Sequence, residues 1–443
     1  MQNLEQRFHD VADYAVALAK ADETLLVNFY AEQSDFLRFN RSQMRQPGRV
    51  DDCDLTLDIV RGQRRIRRAI RLTGHSGEDH SRIKAAVEAA RDGLDACPED
   101  PHILVNRTPQ STRRVKTATI PSRADAVAAI QEAGRGRDMV GIYAAGKVAY
   151  GFANSLGQRN WDASQNFNLD WCFYHSGDKA VKSSYAGFEW SPKALGHKVE
   201  TAAQALAALN RPAKTIPAGD YRAYLTPAAL GELWGWMSWD SFGLAAHKTK
   251  STALLKLIEG RAELAKGVSL AENTAEGVAP GFQDDGFVKP ASVPLIAHGQ
   301  AAGALISPRS AAEYGAETNG ANGHEGPQSL DMAAGAMPEA EALQRLATGV
   351  YVSNLWYVNY SDRNEGRMTG MTRFASMWVE GGDIAAPLNV MRFDDSLYQL
   401  LGANLEALTA EREMLMDPGS YERRSVDSMR LPGALVSGFR FTL

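Results

Sequence analysis

The sequence has little cysteine: three residues in 443, at positions 53, 97 and 172. That number cannot build a disulfide framework or a four-Cys zinc site. It has no run of about 18 apolar residues, so no helix of the kind that spans a membrane is expected. It has no basic surplus. Forty-eight Lys and Arg face 53 Asp and Glu, for a net charge of −5, and this argues against general nucleic-acid binding, which needs a basic surface. The stretch Met1 to Glu23 lacks the uninterrupted apolar core of a signal peptide, and the chain reads as cytoplasmic. A charged fraction of 23% beside a hydrophobic fraction of 44% excludes disorder and a collagen-like fibre. What is present is length, more than one core usually supports, so two domains are the default. Nine His suffice for a metal site, which makes their spacing the question.

The first two hundred residues alternate helix and hairpin patterns. A helix is expected from about Asn3 to Lys20, and a strand over Asp35 to Ser42. Leu55, Leu57 and Ile59 share one face of the next strand. Arg61-Gly62-Gln63 is a turn, and Arg64 to Leu72 the returning strand. Ser76 with Asp79 makes a capping box for a helix carrying Ile83, Val87, Ala90 and Leu94, stopped before Pro98. Ser122 with Asp125 starts another helix, with Val127 and Ile130 inward, closed at Gly134. Met139 to Asn154 reads as a hairpin folded at Ala145-Gly146-Lys147. Phe167, Leu169, Trp171 and Phe173 alternate up to a turn at Ser176-Gly177-Asp178, and Val181 to Tyr185 returns. Leu195, Val199, Ala202, Leu206 and Leu209 form the stripe of a further helix, which ends at Asn210-Arg211-Pro212.

The texture changes near Lys214, which divides an N-terminal domain, residues 1–214, from a C-terminal one, residues 215–443. Tyr221 to Leu225 is a strand. Thr226-Pro227 starts a helix, and Leu230 to Ala246 reads as its apolar, Trp-rich, buried body. Gly/Ala/Asn-rich stretches run from about Ala271 to Gly286 and from Tyr314 to Met337. Strands are expected at Tyr351 to Tyr360, Thr372 to Val379, Ala386 to Phe393 and Ala434 to Thr442, with one helix from about Asp395 to Ala410. The class is α+β: an N-terminal α/β domain with an antiparallel sheet and helices, then an antiparallel β domain whose strands suit a sheet or a barrel.

Motifs of recognised chemistry fail on inspection. Gly141 to Lys147 has most of a phosphate-loop spacing, but Val148 stands where a Ser or Thr should meet magnesium. The run also sits in a hairpin pattern, not between a strand and a helix. Arg61, Arg64, Arg65, Arg67, Arg68 and Arg71 make the densest charge run. On a strand, Arg65, Arg67 and Arg71 share one face, as expected of a charged edge or solvated face, and no aromatics interleave for base stacking. His75 and His80, five apart, would lie about 140° apart on a helix, poorer than the i,i+4 pair of common zinc sites. His324-Glu325 has no second His downstream. The lone His247 and His298 fit structural or exposed roles. No Gly-x-Ser-x-Gly elbow or Cys-x-x-Cys pair occurs.

Several passages in order resemble one family. They are Ala153-Asn-Ser-Leu-Gly157, Gly281-Phe-Gln-Asp-Asp-Gly286 and Val293-Pro-Leu-Ile-Ala-His-Gly299. They continue with Gly349-Val-Tyr-Val-Ser-Asn-Leu-Trp-Tyr357, Gly370-Met-Thr-Arg373, Glu380-Gly-Gly382, Met391-Arg-Phe-Asp-Asp-Ser396 and Pro432-Gly-Ala-Leu-Val436. Together these resemble the TldD/PmbA (TldD/TldE) family, zinc-peptidase components once called modulators of DNA gyrase, over about residues 25 to 443. The resemblance implies a C-terminal, barrel-like antiparallel β domain, and two related subunits around a chamber that takes extended, unfolded peptides. It also implies a catalytic subunit with His-Glu-x-x-x-His on a helix of the C-terminal domain and a Cys on a late strand as zinc ligands. Here the corresponding helix, from Leu230 to Ala246, contains no His. Glu232 and Asp240, eight apart, do not replace a His pair. The late strand, Val426 to Val436, contains no Cys.

The resemblance is therefore to the TldE/PmbA side, the subunit without the metal. It implies a bacterial heterodimer in which a TldD-like partner carries the zinc, and a chain with no catalytic or metal-ligating residue of its own. Strand edges would hold the peptide by main-chain pairing. Asn354, Tyr357 and Arg373 would line the chamber wall, and Trp234, Trp236 and Trp239 would fill the space of the absent zinc. Two alternatives stay open. One is a metal-free peptide-binding homodimer with no protease partner. The other is a hydrolase using Asp240, His247 or His298. Nothing in the residues supports DNA contact.

Overall fold

The computed structural model describes residues 2–176 and 179–442, so the expected turn at Gly177-Asp178 lies outside the described residues. Seven strands form the first sheet: β1 (Thr24–Asn40), β2 (Gln43–Arg61), β3 (Arg64–Arg71), β4 (Thr112–Lys116), β5 (Asp138–Asn154), β6 (Arg159–Tyr174) and β7 (Ala180–Gly187). Their order is β3-β2-β1-β5-β6, with β4 and β7 both on the outer edge of β6. β4 runs parallel to one end of β6, and β7 runs antiparallel to the other.

Side chains alternate across each strand, so odd and even positions serve different faces. Most odd positions of β1 and β6 are apolar and carry the helices, Gln33, Asp35, Arg159 and Gln165 excepted. Phe29 and Trp161 pack beneath α1 (Gln2–Val16) and α2 (Ser76–Leu94). Farther along the same strands, Phe39, Phe167 and Trp171 pack beneath α3 (Arg123–Ala133) and α4 (Pro192–Ala208). The even positions of β6 are polar, yet Asn160, Asp162, Ser164, Asn166 and Asn168 are all buried, because the C-terminal half covers them. Asn168 donates to the Met416 carbonyl, Arg424 donates to the Asn166 carbonyl, and Asp162 accepts from Arg114 and the Gly281 amide.

The second sheet has thirteen strands. They are β8 (Gly219–Leu225), β9 (Leu270–Glu272), β10 (Val293–Ala297), β11 (Gln300–Ala301), β12 (Ser329–Met332), β13 (Gly349–Val352), β14 (Trp356–Asp362) and β15 (Arg367–Met371). The remaining five are β16 (Met377–Glu380), β17 (Asp383–Pro387), β18 (Arg392–Ser396), β19 (Leu405–Met416) and β20 (Ser428–Phe441). The sheet follows the path β11-β10-β9-β12-β20-β8-β13-β16-β17. β20 is its hub, pairing with β8, β12, β18 and β19. Pairing is mostly antiparallel, as the sequence predicts, but β12–β20 and β8–β13 are parallel, and the path stays open instead of closing into a barrel. The α+β class holds.

Several local expectations change. Met139 to Asn154 is not a hairpin: β5 runs straight through Gly146, which also removes any phosphate-loop context. The Ser76–Asp79 capping box does not form. His75 is the N-cap, without a side-chain bond. Asp79 instead accepts from the Thr73 and Gly74 amides, 2.6 and 3.0 Å away. The helix expected from Asp395 to Ala410 shrinks to one turn at Gln399–Ala403, and β19 starts at Leu405. The Trp-rich helix, α5 (Pro227–Met237), stops nine residues before Ala246. A separate five-residue helix, Leu244–Lys248, follows.

The charged edge strand is as expected. β3 is an edge strand, and its Arg65 and Arg67 pair with Asp58 while Arg71 pairs with Asp52 and Asp54. The Asp284-Asp285-Gly286 turn docks on the first sheet: Arg65 meets Asp285 at 2.6 Å, and Asn106 and Gln158 both donate to the Gly286 carbonyl. The stretch from Tyr314 to Met337 is pinned by Asn319, which donates to Ala304 and accepts from Ile306.

Candidate functional site

A cleft of about 580 Å³ lies where the two sheets meet. β7 and α4 wall it from the first half, and the first turns of α5, the end of β13, β19 and the start of β20 wall it from the second. Local chemistry fixes the α5 corner. Thr226 accepts from the Ala229 amide as N-cap, with Pro227 in the first turn. The same hydroxyl donates to the Ser353 carbonyl at 2.6 Å, so the helix start holds the end of β13. The next residue, Asn354, lines the cleft. It is 4% exposed, and its Oδ1 has no partner.

The cleft is acidic. Seven carboxylates line it against three cations, Lys182, Lys198 and Arg412. Lys182 joins the halves, 4.0 Å from Asp170 of β6 and 3.9 Å from Glu232 of α5. Burial raises both carboxyl pKa values and Lys182 pulls them back. Lys198 of α4 pairs with Glu413 of β19. Desolvation raises the Glu339 carboxyl, and Glu413 and Glu411 raise it further. At the floor, the Asp417 amide donates to the Asp427 carbonyl at 3.1 Å. Asp427 keeps an exposed edge, but the cleft wall, and then the Asp417 charge, push its carboxyl up to about 6.

That shift has a sign. Between the ordinary Asp value and about 6, the folded chain holds a proton that the unfolded chain releases, so stability falls as pH rises through this window. Asp427→Asn is expected to raise the Tm at about pH 7 and leave it unchanged at about pH 4. Thermal melts across pH check this, and identical profiles for the two proteins refute it.

The three residues that the resemblance assigns to a peptide wall separate into two places. Asn354 is in the cleft. Tyr357 and Arg373 meet instead at Trp356: the Tyr357 ring is 5.4 Å from it and the Arg373 guanidinium 4.3 Å above it. Tyr357 is 76% exposed at a φ of +57°, a conformation bulky side chains rarely hold. The Trp residues expected to fill one space also part. Trp234 is fully buried, Trp236 packs on the core's margin, and Trp239, beyond the end of α5, is 80% exposed. Of the residues in the hydrolase alternative, Asp240 and His247 both contact Ser241. Asp240 is held by Arg363 and Tyr360, His247 by the Ser241 carbonyl, and His298 occupies a positive-φ turn. The acidic residues of β19 and the β19–β20 connection had no signal in sequence, because only strand pairing brings them to α4 and α5.

A family model described as the PmbA/TldA metallopeptidase C-terminal domain matches residues 218–443, just over half of the chain. The chain belongs to the TldD/PmbA family. Solved structures share its whole fold. TldE from Thermococcus kodakarensis superposes with a TM-score of 0.77 at 14% identity, over 100% of both chains. A candidate modulator of a DNA gyrase from Thermotoga maritima gives 0.75 at 15% identity, over 98% of this chain and 100% of that one. Another, from Bacteroides thetaiotaomicron, gives 0.73 at 15%, over 100% and 98%. No curated protein matches the chain.

TldD/PmbA membership implies a metal, so the donor set matters. With His-Glu-x-x-x-His set in register on Glu232, Gly231 and Trp236 stand at the His positions. Glycine offers no donor, and an indole is not a zinc ligand. Among the described residues no three His, Cys, Asp or Glu side chains converge as metal ligands. The residues here do not fit a zinc ion. Among them, also, no helix is long and apolar enough to cross a membrane.

Proposed function

We propose that this chain is the non-catalytic subunit of a cytoplasmic TldD/TldE-type zinc metallopeptidase complex, and that it walls part of the chamber where unfolded or extended peptides are cleaved. The observation that carries the reading is α5. It turns Gly231 and Glu232 to the cleft and keeps the carboxylate of the family pattern without its His. Zinc and the attacking water then belong to a TldD-like partner. Two features support the roles left to this chain. Among the described residues β14 pairs only with β15, so its other edge is open to main-chain pairing with an extended peptide; Tyr357 lies on this strand, Arg373 stacks on its Trp356, and Asn354 lines the cleft. Exposed Trp239, Trp356 and Tyr357 are the residue types enriched at protein interfaces.

Purification from the source organism under gentle conditions tests this. A related chain carrying His-Glu-x-x-x-His is expected to co-elute in equal amount and to account for the zinc. Elution of this chain alone as a homodimer would favour the peptide-binding alternative. One zinc equivalent on this chain, lost on His247→Ala, would overturn both.

A further inference from the structure

We propose that the cleft between α4, α5 and β19 recognises the cationic side chains of a basic peptide, with Lys or Arg groups set along an extended chain. This deepens the peptide-binding reading above and rests on it.

Three observations converge. The first is where the charge sits. Seven carboxylates against three cations leave four negative charges in the cleft, most of the net −5 of the entire chain. The three cations are already engaged: Lys182 with Asp170 and Glu232, Lys198 with Glu413, and Arg412 with Asp331. Glu339, Glu411, Asp417 and Asp427 have no cationic side chain within 4.0 Å among the described residues. Like charges held together at a partly desolvated surface favour an incoming cation.

The second observation is independent of charge. Asn354 is buried in the cleft wall with its Oδ1 unpaired. A buried acceptor left without a donor is destabilising, because it has lost water and gained no partner. The two ends of an Asn amide exchange by a half-turn about one bond, so this side chain can offer an acceptor to a ligand N–H. A peptide amide, an ammonium or a guanidinium supplies that donor.

The third is the layout. A metal ion needs converging ligands, and no three acidic or His side chains converge here among the described residues. The carboxylates are strung out instead. Glu411 and Asp417 are six residues apart along β19 and its exit, which is roughly 20 Å of strand. One amino acid cannot span that distance, whereas an extended peptide of about six residues does.

The test uses the full-length chain and capped, fluorescent hexapeptides of lysine, serine and glutamate, read by anisotropy at low salt. Hexalysine is expected to bind about tenfold or more tighter than hexaserine, and added salt should narrow the gap. Asp417→Asn with Asp427→Asn should remove most of the preference. Glu411→Gln should weaken it separately, in case the double variant folds poorly. Glu365→Gln, which lines a different cavity, should leave it unchanged. Equal binding of hexalysine and hexaserine overturns the charge inference and leaves the peptide-binding reading intact. Binding of no peptide at all overturns both. A preference that survives both cleft variants overturns the assignment to this cleft.

Discussion

Arg424→Met is expected to destabilise the chain by roughly 3–5 kcal/mol, the usual effect of removing one charge of a buried set. Arg424 comes from the β19–β20 connection and is 3% exposed. It reaches the even face of the first sheet, where its guanidinium donates to the Asn166 and Gly146 carbonyls, both at 3.3 Å. Its backbone amide donates to Glu32 at 3.0 Å. Glu32 is itself buried and also accepts from Tyr30 at 2.7 Å. Burial pulls the Arg424 pKa down, and Glu32 is the largest charge holding it up. Without the guanidinium, Glu32 keeps its hydrogen bonds but loses its countercharge. A shift in urea midpoint at unchanged m-value is the readout. Adding Glu32→Gln should recover part of the loss, because the stranded charge goes with it. Hydrogen exchange should also quicken between Asp417 and Asp427, the cleft floor that Arg424 anchors. An Arg424→Met chain as stable as the parent would mean that the buried guanidinium does not hold the β19–β20 connection to the first sheet.

Gly146→Ala is expected to be about as damaging, roughly 3–5 kcal/mol when steric overlap and backbone strain are taken together. A Cβ at Gly146 would stand 2.1 Å from the Gln33 carbonyl oxygen and 2.7 Å from the Ser34 Cα. Both are main-chain atoms of β1, the strand to which β5 is hydrogen-bonded, so neither can swing aside. The φ of +149° adds strain for any side chain. Gly157→Ala is the useful contrast, because it also has a positive φ but open space around the Cβ. It should therefore lose only the strain part, about 1 kcal/mol. Equal losses for the two variants would show that packing at Gly146 is not the cause.

Gly146 also shows how sequence reading goes astray. Ala145-Gly146-Lys147 looks like the tip of a hairpin because glycine is the commonest turn residue. The same residue inside a strand marks a close backbone approach, and only the β1 neighbour decides between them. The stretch after Asp395 fails for a related reason. Leu397, Leu400, Leu401, Leu405 and Leu408 keep a helical period, but β20 offers a full-length strand partner from Leu405 onward. Asn404 breaks the turn by bonding the Gly438 carbonyl at 2.9 Å, and pairing outweighs propensity. Most other local signals held, the Ser76–Asp79 capping box excepted. Ser122 accepts from the Asp125 amide and Gly134 closes α3, Thr226-Pro227 opens α5, and Leu55, Leu57 and Ile59 are all fully buried.

The even positions of β6 divide what sequence determines from what it leaves open. Alternation in Trp161-Asp-Ala-Ser-Gln-Asn-Phe-Asn-Leu-Asp170 is enough to predict a strand with one apolar face. Read alone, its polar face belongs to solvent. In the folded chain most of that face is buried, because segments from beyond residue 270 cover it and share in its hydrogen bonding: the Gly281 amide donates to Asp162, and Asn168 donates to the Met416 carbonyl. The absence of His from α5 was legible for the same reason as the caps: it is a property of a few adjacent residues. The acidic cleft was not legible, since its carboxylates lie as far apart as Asp170 and Asp427 and become neighbours only when β19 packs against β7. Periodicity and capping act within about one turn or one strand. Which face is wet, and which charges share a cleft, is decided by the pairing of distant strands.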